Sequence, residues 1–243
     1  MPGAGCRVPG RTTKGNDASL PVFTRPPAPG PRHPFTNREA LMSVVVGVVA
    51  VQGAVTEHLE AFERAFRDSG RKGRAVPVRR PKELECVQAL AIPGGESTTI
   101  SKLLIKFGLF DGIIKRASQG MPVLGTCAGL VLLAKEGDDE VRRTGTRLLG
   151  LMDMAVDRNA FGRQKESFEA EITVGLAGDE WKKPFPAVFI RAPAITKVWG
   201  KCRALACAGD TIVLAEQDNL LAAAFHPELT ADSRIHARLI GKI

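Results

Sequence analysis

The chain has 243 residues, 44% of them hydrophobic and 25% charged, the balance of an ordinary globular enzyme and enough length for one large domain or two small ones. No apolar run reaches the roughly 18 residues that cross a membrane, and no secretory h-region stands near the N-terminus; five cysteines without a CxxC pair argue against a disulfide framework or a zinc site, so a cytoplasmic setting is expected. Of the net charge of +8, residues 1–41 supply +4 (six Lys/Arg against two Asp/Glu) and the other 202 residues +4 (28 against 24), with no basic run interleaved with aromatics, which speaks against a nucleic-acid partner.

Residues 1–41 hold eight of the 16 prolines and no periodic apolar pattern, so this stretch cannot bury enough surface to offset its ordering entropy. A disordered N-terminal extension is expected there, followed by one folded domain over residues 42–243. A cleaved organellar targeting peptide is the second reading, ranked lower because prolines and glycines spoil the amphipathic helix such peptides use.

From Val44 onward the pattern alternates strand and helix. "VVVGVVAVQG" reads as a buried strand without polar alternation. Val55, Leu59, Phe62 and Phe66 then recur at helical spacing, with Gly70 as the stop signal. "ALAIPGG" is a strand entering a tight turn, and Ser97 is placed to cap the helix "TTISKLLIKFG". "MPVLGT" and "AGLVLLAKE" read as the next strand and helix. Short strands follow at "DMAVDR", "FEAEITV", "AVFIRA", "TIVLAEQ" and "LLAAAFHP", and a final helix begins near Ala231. Repeated βα units predict an α/β fold, a mostly parallel open sheet with helices on both faces.

Three short stretches could carry chemistry. In "GTCAG", Gly125 and Gly129 flank Cys127 as glycines flank the serine of a nucleophile elbow. A sharp strand-to-helix turn there would present the sulfur to the N-terminus of a helix, which favours thiolate, and would aim the N–H of Ala128 at a developing oxyanion. The bland alternative is a buried small hydrophobe. A base is required, and four histidines exist: His33 lies in the tail, His58 within the first predicted helix, and His236 within the last, where a surface position is expected. His226 instead ends an apolar strand in "AAAFHPEL", where Glu228 at i+2 of an extended segment could hold its imidazole in one tautomer. Taken alone, a His-x-Glu is more often a surface pair. Downstream of an elbow cysteine it supplies base and orienter. In "PGGEST", Gly94 and Gly95 let the backbone approach a ligand closely and could complete an oxyanion hole; the plain alternative is a capped strand-to-helix turn.

"QGAVTEH", "PGGEST", "GTCAGL", "RNAFGRQKESFE", "FIRAP" and "FHPELT" occur in this order and together resemble the glutaminase subunits of pyridoxal 5′-phosphate synthases, within the class I (triad) glutamine amidotransferases. The resemblance runs from Val44 to near the C-terminus and leaves the tail unexplained. It implies a flavodoxin-like three-layer sandwich, with Cys127 as nucleophile, His226 as acid/base and Glu228 as its partner. It further implies that Gly95, Glu96, Ser97, Arg158, Ile190 and Arg191 contact L-glutamine, with Gly95 and Ala128 forming the oxyanion hole. The implied reaction is hydrolysis of glutamine to glutamate and ammonia through a cysteine thioester. No metal or cofactor is implied; the partner is a ring-shaped synthase subunit that receives the ammonia. Two rivals are a cysteine hydrolase or glutaminase of the same fold serving another partner, and a non-catalytic docking subunit, whose signature would be a lost triad residue.

Overall fold

The computed structural model describes residues 43–158, 167–175 and 181–243. The expected extension, residues 1–41, lies outside them, as do residues 159–166 of the RNAFGRQKESFE motif.

The first apolar run forms strand β1 (Val44–Val49), whose Val46, Val48 and Val49 are fully buried. Helix α1 (Val55–Ser69) buries His58, Ala61, Phe62, Ala65 and Phe66, and ends where Gly70 turns left-handed at φ 67°. β2 (Gly73–Val78), α2 (Pro81–Glu85) and β3 (Ala89–Ile92) follow. Helix α3 (Ser97–Lys106) and helix α4 (Phe110–Ser118) lead to β4 (Val123–Thr126), and α5 (Ala128–Leu133) starts immediately after Cys127. Next come β5 (Ala134–Gly137), α6 (Asp139–Arg143) and β6 (Met152–Asp157). The chain continues through β7 (Ser167–Ile172), β8 (Phe185–Ile190), β9 (Ala194–Val198), β10 (Arg203–Ala208), β11 (Thr211–Gln217) and β12 (Leu220–Ala223). A 3-10 turn (Pro227–Leu229) and helix α7 (Arg234–Ile240) complete it.

The main sheet runs in the order β2-β1-β3-β4-β12-β11-β9-β6-β5, with β10 also paired to β11. Its first five strands are mutually parallel, as are β5 and β6; the pairings of β11 with β9, β10 and β12, and of β6 with β9, are antiparallel. The chain moves one way from β1 to β2 and the other way from β2 through β3 to β4. Right-handed crossovers therefore place α1 on one face and α2, α3 and α4 on the other. The packing agrees: α7 lies against α1, while α4 touches α2 and α3, and α5 packs on α3. This is the open α/β sheet expected, with helices on both faces and an antiparallel flank.

Several local expectations change. β7 and β8 leave the main sheet and pair with each other as a two-stranded ribbon, Ser167 opposite Ile190 and Ile172 opposite Phe185. Phe185 and Phe189 of that ribbon pack on Phe225, with ring centroids 5.5 and 5.8 Å away. The helix after Cys127 stops at Leu133 because Ala134 is extended (ψ 151°) and the chain is recruited as β5 alongside β6. Ser97 does not cap α3: Glu96 does, its longer side chain accepting from both Thr98 N–H and Thr99 N–H, and Ser97 is the first helical residue. The last helix begins at Arg234, whose N–H is taken by Asp232 Oδ1 at 3.0 Å.

Candidate active site

The carboxyl ends of β1, β3, β4 and β12 converge on one place, as expected for a ligand crevice of an open α/β sheet. β4 delivers Cys127, held at φ 49° and ψ −106°, a conformation that costs a residue with a side chain about 1–3 kcal/mol. Its N–H donates to Ala223 O of β12 (2.8 Å), and its carbonyl accepts from Val131 N–H (3.3 Å). The flanking glycines serve close approach. A Cβ on Gly129 would collide with the carbonyl oxygen of Ile92, and one on Gly125 would stand 2.5 Å from the carbonyl oxygen of Gly129. Two glycines therefore let α5 press onto β3 and β4 so that the sulfur stands above the sheet edge.

Strand β12 stops at Ala223, three residues short of the predicted end. His226 is anchored instead by its N–H to Val188 O of the ribbon (2.8 Å), and Glu228 sits on the 3-10 turn rather than on an extended segment. The pair nonetheless meets: His226 Nδ1 lies 2.8 Å from Glu228 Oε1, with the Glu228 side chain wholly buried. Burial by itself would lower the pKa of His226, but hydrogen bonds to Cys127 and Glu228 outweigh it and raise the imidazole above its usual range. The carboxyl of Glu228 would likewise rise on burial, and His58 and His226 facing it hold it below the usual range. Cys127, His226 and Glu228 thus form one contiguous line. Gly94 lies against it, since a Cβ there would stand 2.5 Å from His226 Cε1.

A cavity of about 360 Å³ opens in front of this line. It is lined by Gly95, Glu96 and Ser97 after β3, by Cys127, Ala128 and His226, and by Arg158, Ile190 and Arg191. Of the residues that the resemblance assigns to the reaction, all line it except Glu228, which is bonded to His226; Gly94, the other glycine of the turn, does not line it. Glu96 accepts from Thr98 N–H (2.9 Å), Thr99 N–H (2.6 Å) and Thr99 Oγ1 (2.7 Å). These bonds outweigh the effect of burial and bring its pKa down to about 2. Arg158 donates through Nη2 to Glu96 Oε1 at 2.9 Å and through Nη1 to Thr98 Oγ1 at 3.3 Å. Its backbone N–H is fixed on Asp138 Oδ2 (2.9 Å). Arg191 has a left-handed backbone, φ 42°.

Residue-level reading missed two contributors. Gln52 also lines the cavity, its Oε1 accepting from Glu96 N–H at 3.1 Å; the signal was its place at the carboxyl end of β1. His58 and His236 are both fully buried behind Glu228, the latter contrary to the surface position expected. The signal for His58 was its place four residues before Phe62, on the same apolar stripe as Phe66. Among the described residues no cluster of His, Cys, Asp or Glu could hold a metal ion, and no helix is long and apolar enough to cross a membrane.

A family model described as the SNO glutamine amidotransferase family matches residues 48–243. The chain belongs to this family. Relatives of this SNO-family chain carry the name pyridoxal 5′-phosphate synthase subunit PdxT. The protein from Methanosarcina barkeri is 48% identical over 198 residues, covering 82% of this chain and 97% of the relative. Those from Thermococcus onnurineus and Archaeoglobus fulgidus are 49% and 52% identical, covering 81% and 79% of this chain and 98% and 94% of the relatives. A crystal structure titled glutamine amidotransferase aligns with a TM-score of 0.71 at 42% identity, over 81% of this chain and 97% of the other. A Thermotoga maritima glutamine amidotransferase, 15% identical with a TM-score of 0.52 over 83% of this chain and 80% of the other, shares the fold. Membership in the family makes this chain a glutamine amidotransferase enzyme, as its motifs lead one to expect.

Proposed function

We propose that the chain hydrolyses L-glutamine to glutamate and ammonia through a thioester on Cys127, and passes the ammonia to a synthase subunit that makes pyridoxal 5′-phosphate. The observation that carries this reading is the line Cys127–His226–Glu228, with the His226–Glu228 bond at 2.8 Å and both Cys127 and His226 lining the cavity. Two of the lining residues pair an anion with a cation, Glu96 with Arg158, the complement of an α-amino acid's ammonium and carboxylate. The relatives' name, pyridoxal 5′-phosphate synthase subunit PdxT, supports a synthase as the destination of the ammonia.

In this mechanism the Cys127 sulfur attacks the side-chain amide carbon while the N–H groups of Gly95 and Ala128 hold the oxyanion. Glu96 takes the α-ammonium and Arg158 the α-carboxylate, with Ser97, Ile190 and Arg191 closing the pocket around the substrate. The protonated imidazole of His226, oriented by Glu228, gives its proton to the departing amine, so ammonia leaves and the acyl group stays on sulfur. Neutral His226 then accepts a proton from water, which attacks the thioester; the thiol leaves and glutamate is formed. The chain's own residues account for each step, with no metal or cofactor. The partner is a ring-shaped synthase assembly in the cytoplasm, and the Gly94–Gly95 turn is the element that rearranges when the two dock. Identical peptide orientations there in free and docked structures would refute that last point.

The test is glutamate release from L-glutamine, with and without a synthase subunit from the same source. Release should rise strongly with the partner and vanish in Cys127→Ala, while that variant still binds glutamine. A folded protein silent in both mixtures would instead be a non-catalytic docking subunit.

A further inference from the structure

The carboxylate of Glu228 uses one oxygen on His226. The other, Oε2, is buried and makes no hydrogen bond; Nε2 of His58 on α1 lies 3.4 Å from it. His58 Nε2 is also 3.0 Å from the hydroxyl of Thr126, the residue before Cys127, and His58 Nδ1 is 3.1 Å from His236 Nε2 on α7. Thr126, His58 and His236 are all fully buried, and His236 Nδ1 has no partner. Phe62 fixes the plane of His236 edge-on at a centroid distance of 4.7 Å.

The protons in this chain can be placed by elimination. With hydrogen on Nδ1, His58 would donate to His236 Nε2. The proton of His236 would then sit on the partnerless Nδ1 as a buried orphan N–H, and the Nε2 lone pair of His58 would face a carboxylate oxygen. With hydrogen on Nε2, His58 donates to Thr126 Oγ1, keeps that N–H 3.4 Å from the unbonded Oε2 of Glu228, and accepts at Nδ1 from His236 Nε2–H. Only a lone pair of His236 is then left without a partner. The second arrangement avoids both an unsatisfied buried donor and a repulsion between electron pairs in a low dielectric.

We propose that His58 is a positioning residue for the reaction: its Nε2–H, anchored on Thr126, sets a positive dipole beside the free oxygen of Glu228, and His236 locks His58 in that tautomer. The proposal rests on the triad reading of Cys127, His226 and Glu228. With Oε1 bonded to His226 and Oε2 drawn toward the His58 N–H, Glu228 keeps its place as His226 gains and loses its proton. Burial lowers the pKa of both His58 and His236, so the pair is a neutral donor chain that leaves the charge on Glu228. The charged and titratable groups around it are Glu57 and Arg64 on α1, His226 and Glu228 beyond β12, and His236 on α7. Arg64 donates to the carbonyls of Glu228 (3.4 Å) and Thr230 (3.0 Å), tying α1 to the same turn.

Nitrogen-15 NMR of the full-length protein reads the tautomer directly, and His58 should carry its hydrogen on Nε2 at neutral pH. An Nδ1–H or doubly protonated His58 overturns the proposal without any variant being made. In the complex with the synthase subunit, His58→Leu should lower kcat for glutamate release by roughly tenfold, the size of removing an N–H dipole from beside a buried carboxylate, with KM for glutamine nearly unchanged. The donor lowers the pKa of Glu228, so its loss raises that pKa, and the acid limb of the kcat/KM profile should move to higher pH. His58→Gln, whose amide can place an N–H near the Nε2 position, should recover most of both. Equal impairment in Leu and Gln variants with an unmoved acid limb would leave His58 a packing residue only. A wild-type protein without glutaminase activity would overturn the underlying reading, an outcome separable from failure of the His58 variants in an active enzyme.

Discussion

Arg158 and Glu96 are paired at 2.9 Å on the lining of the cavity, and in the proposed reaction a zwitterionic substrate exchanges that contact for its own two charges. The hydrogen bonds that bring the pKa of Glu96 to about 2 keep it anionic at neutral pH, as the proposed contact with an ammonium requires. Arg158 has only a small part of its side chain exposed and is aimed by Thr98 and by its backbone bond to Asp138. Arg158→Ala should therefore raise KM for glutamine by roughly 10–100-fold, the loss of a charge-assisted hydrogen bond, with a smaller change in kcat. Arg158→Lys should restore only part of it, because a point charge cannot reproduce the planar fork. Steady-state glutamate release with the synthase subunit measures both, and an unchanged KM in the alanine variant would remove Arg158 from the binding set. At this scale the sequence was most informative where the site is local: the elbow around Cys127 and the His226–Glu228 pair are each contained in a few residues. His58 meets Glu228 across 170 positions of chain (228 − 58), and its burial depends on Phe62 and α7 closing over it, which no local pattern expresses.

Elements are joined by a second buried carboxylate, Glu216 of β11, which takes Arg203 of β10 (2.7 Å), Arg238 of α7 (3.1 Å) and Lys242 beyond it (2.6 Å). Burial would raise its pKa, but these three cations bring it from 4.5 down to about 2. A depressed folded-state pKa means stability that is fully present above the unfolded value and is lost as pH falls from about 4.5 toward about 2. Glu216→Gln should cost roughly 2 kcal/mol or more at neutral pH. In urea titrations its deficit relative to the parent should shrink through that acid window; a deficit constant with pH would mean that Glu216 acts through packing alone. The C-terminal helix thus depends on a charge cluster as well as on its apolar face. Strands and helices with a clear period, such as β1, α1, β3, β4 and β11, were legible from the sequence. β5 was not, because "AKEG" continues the leucine-rich run before it and becomes a strand only by pairing with β6. β7 and β8 read as strands, yet nothing in their pattern says that they pair together and leave the main sheet to brace Phe225 and His226.

For the whole molecule, every group of the proposed site lies between Gln52 and Glu228, and the family model begins at residue 48. Residues 1–41 precede both, with eight prolines and half of the net charge. Our reading makes them an appendage that neither the core nor the chemistry uses. Deleting residues 1–41 should then leave the urea midpoint unchanged, within about 0.5 kcal/mol of unfolding free energy, because a proline-rich stretch without apolar periodicity has little to bury. Glutamate release with the synthase subunit should also be unaffected at physiological ionic strength. The deletion removes a charge of +4 (six minus two), so any contribution the tail makes by long-range attraction to an acidic partner should appear only at low salt and fade as the Debye length shortens. A loss of partner activation that persists at high salt would point to specific contacts, and would make the tail part of the docking surface rather than an appendage.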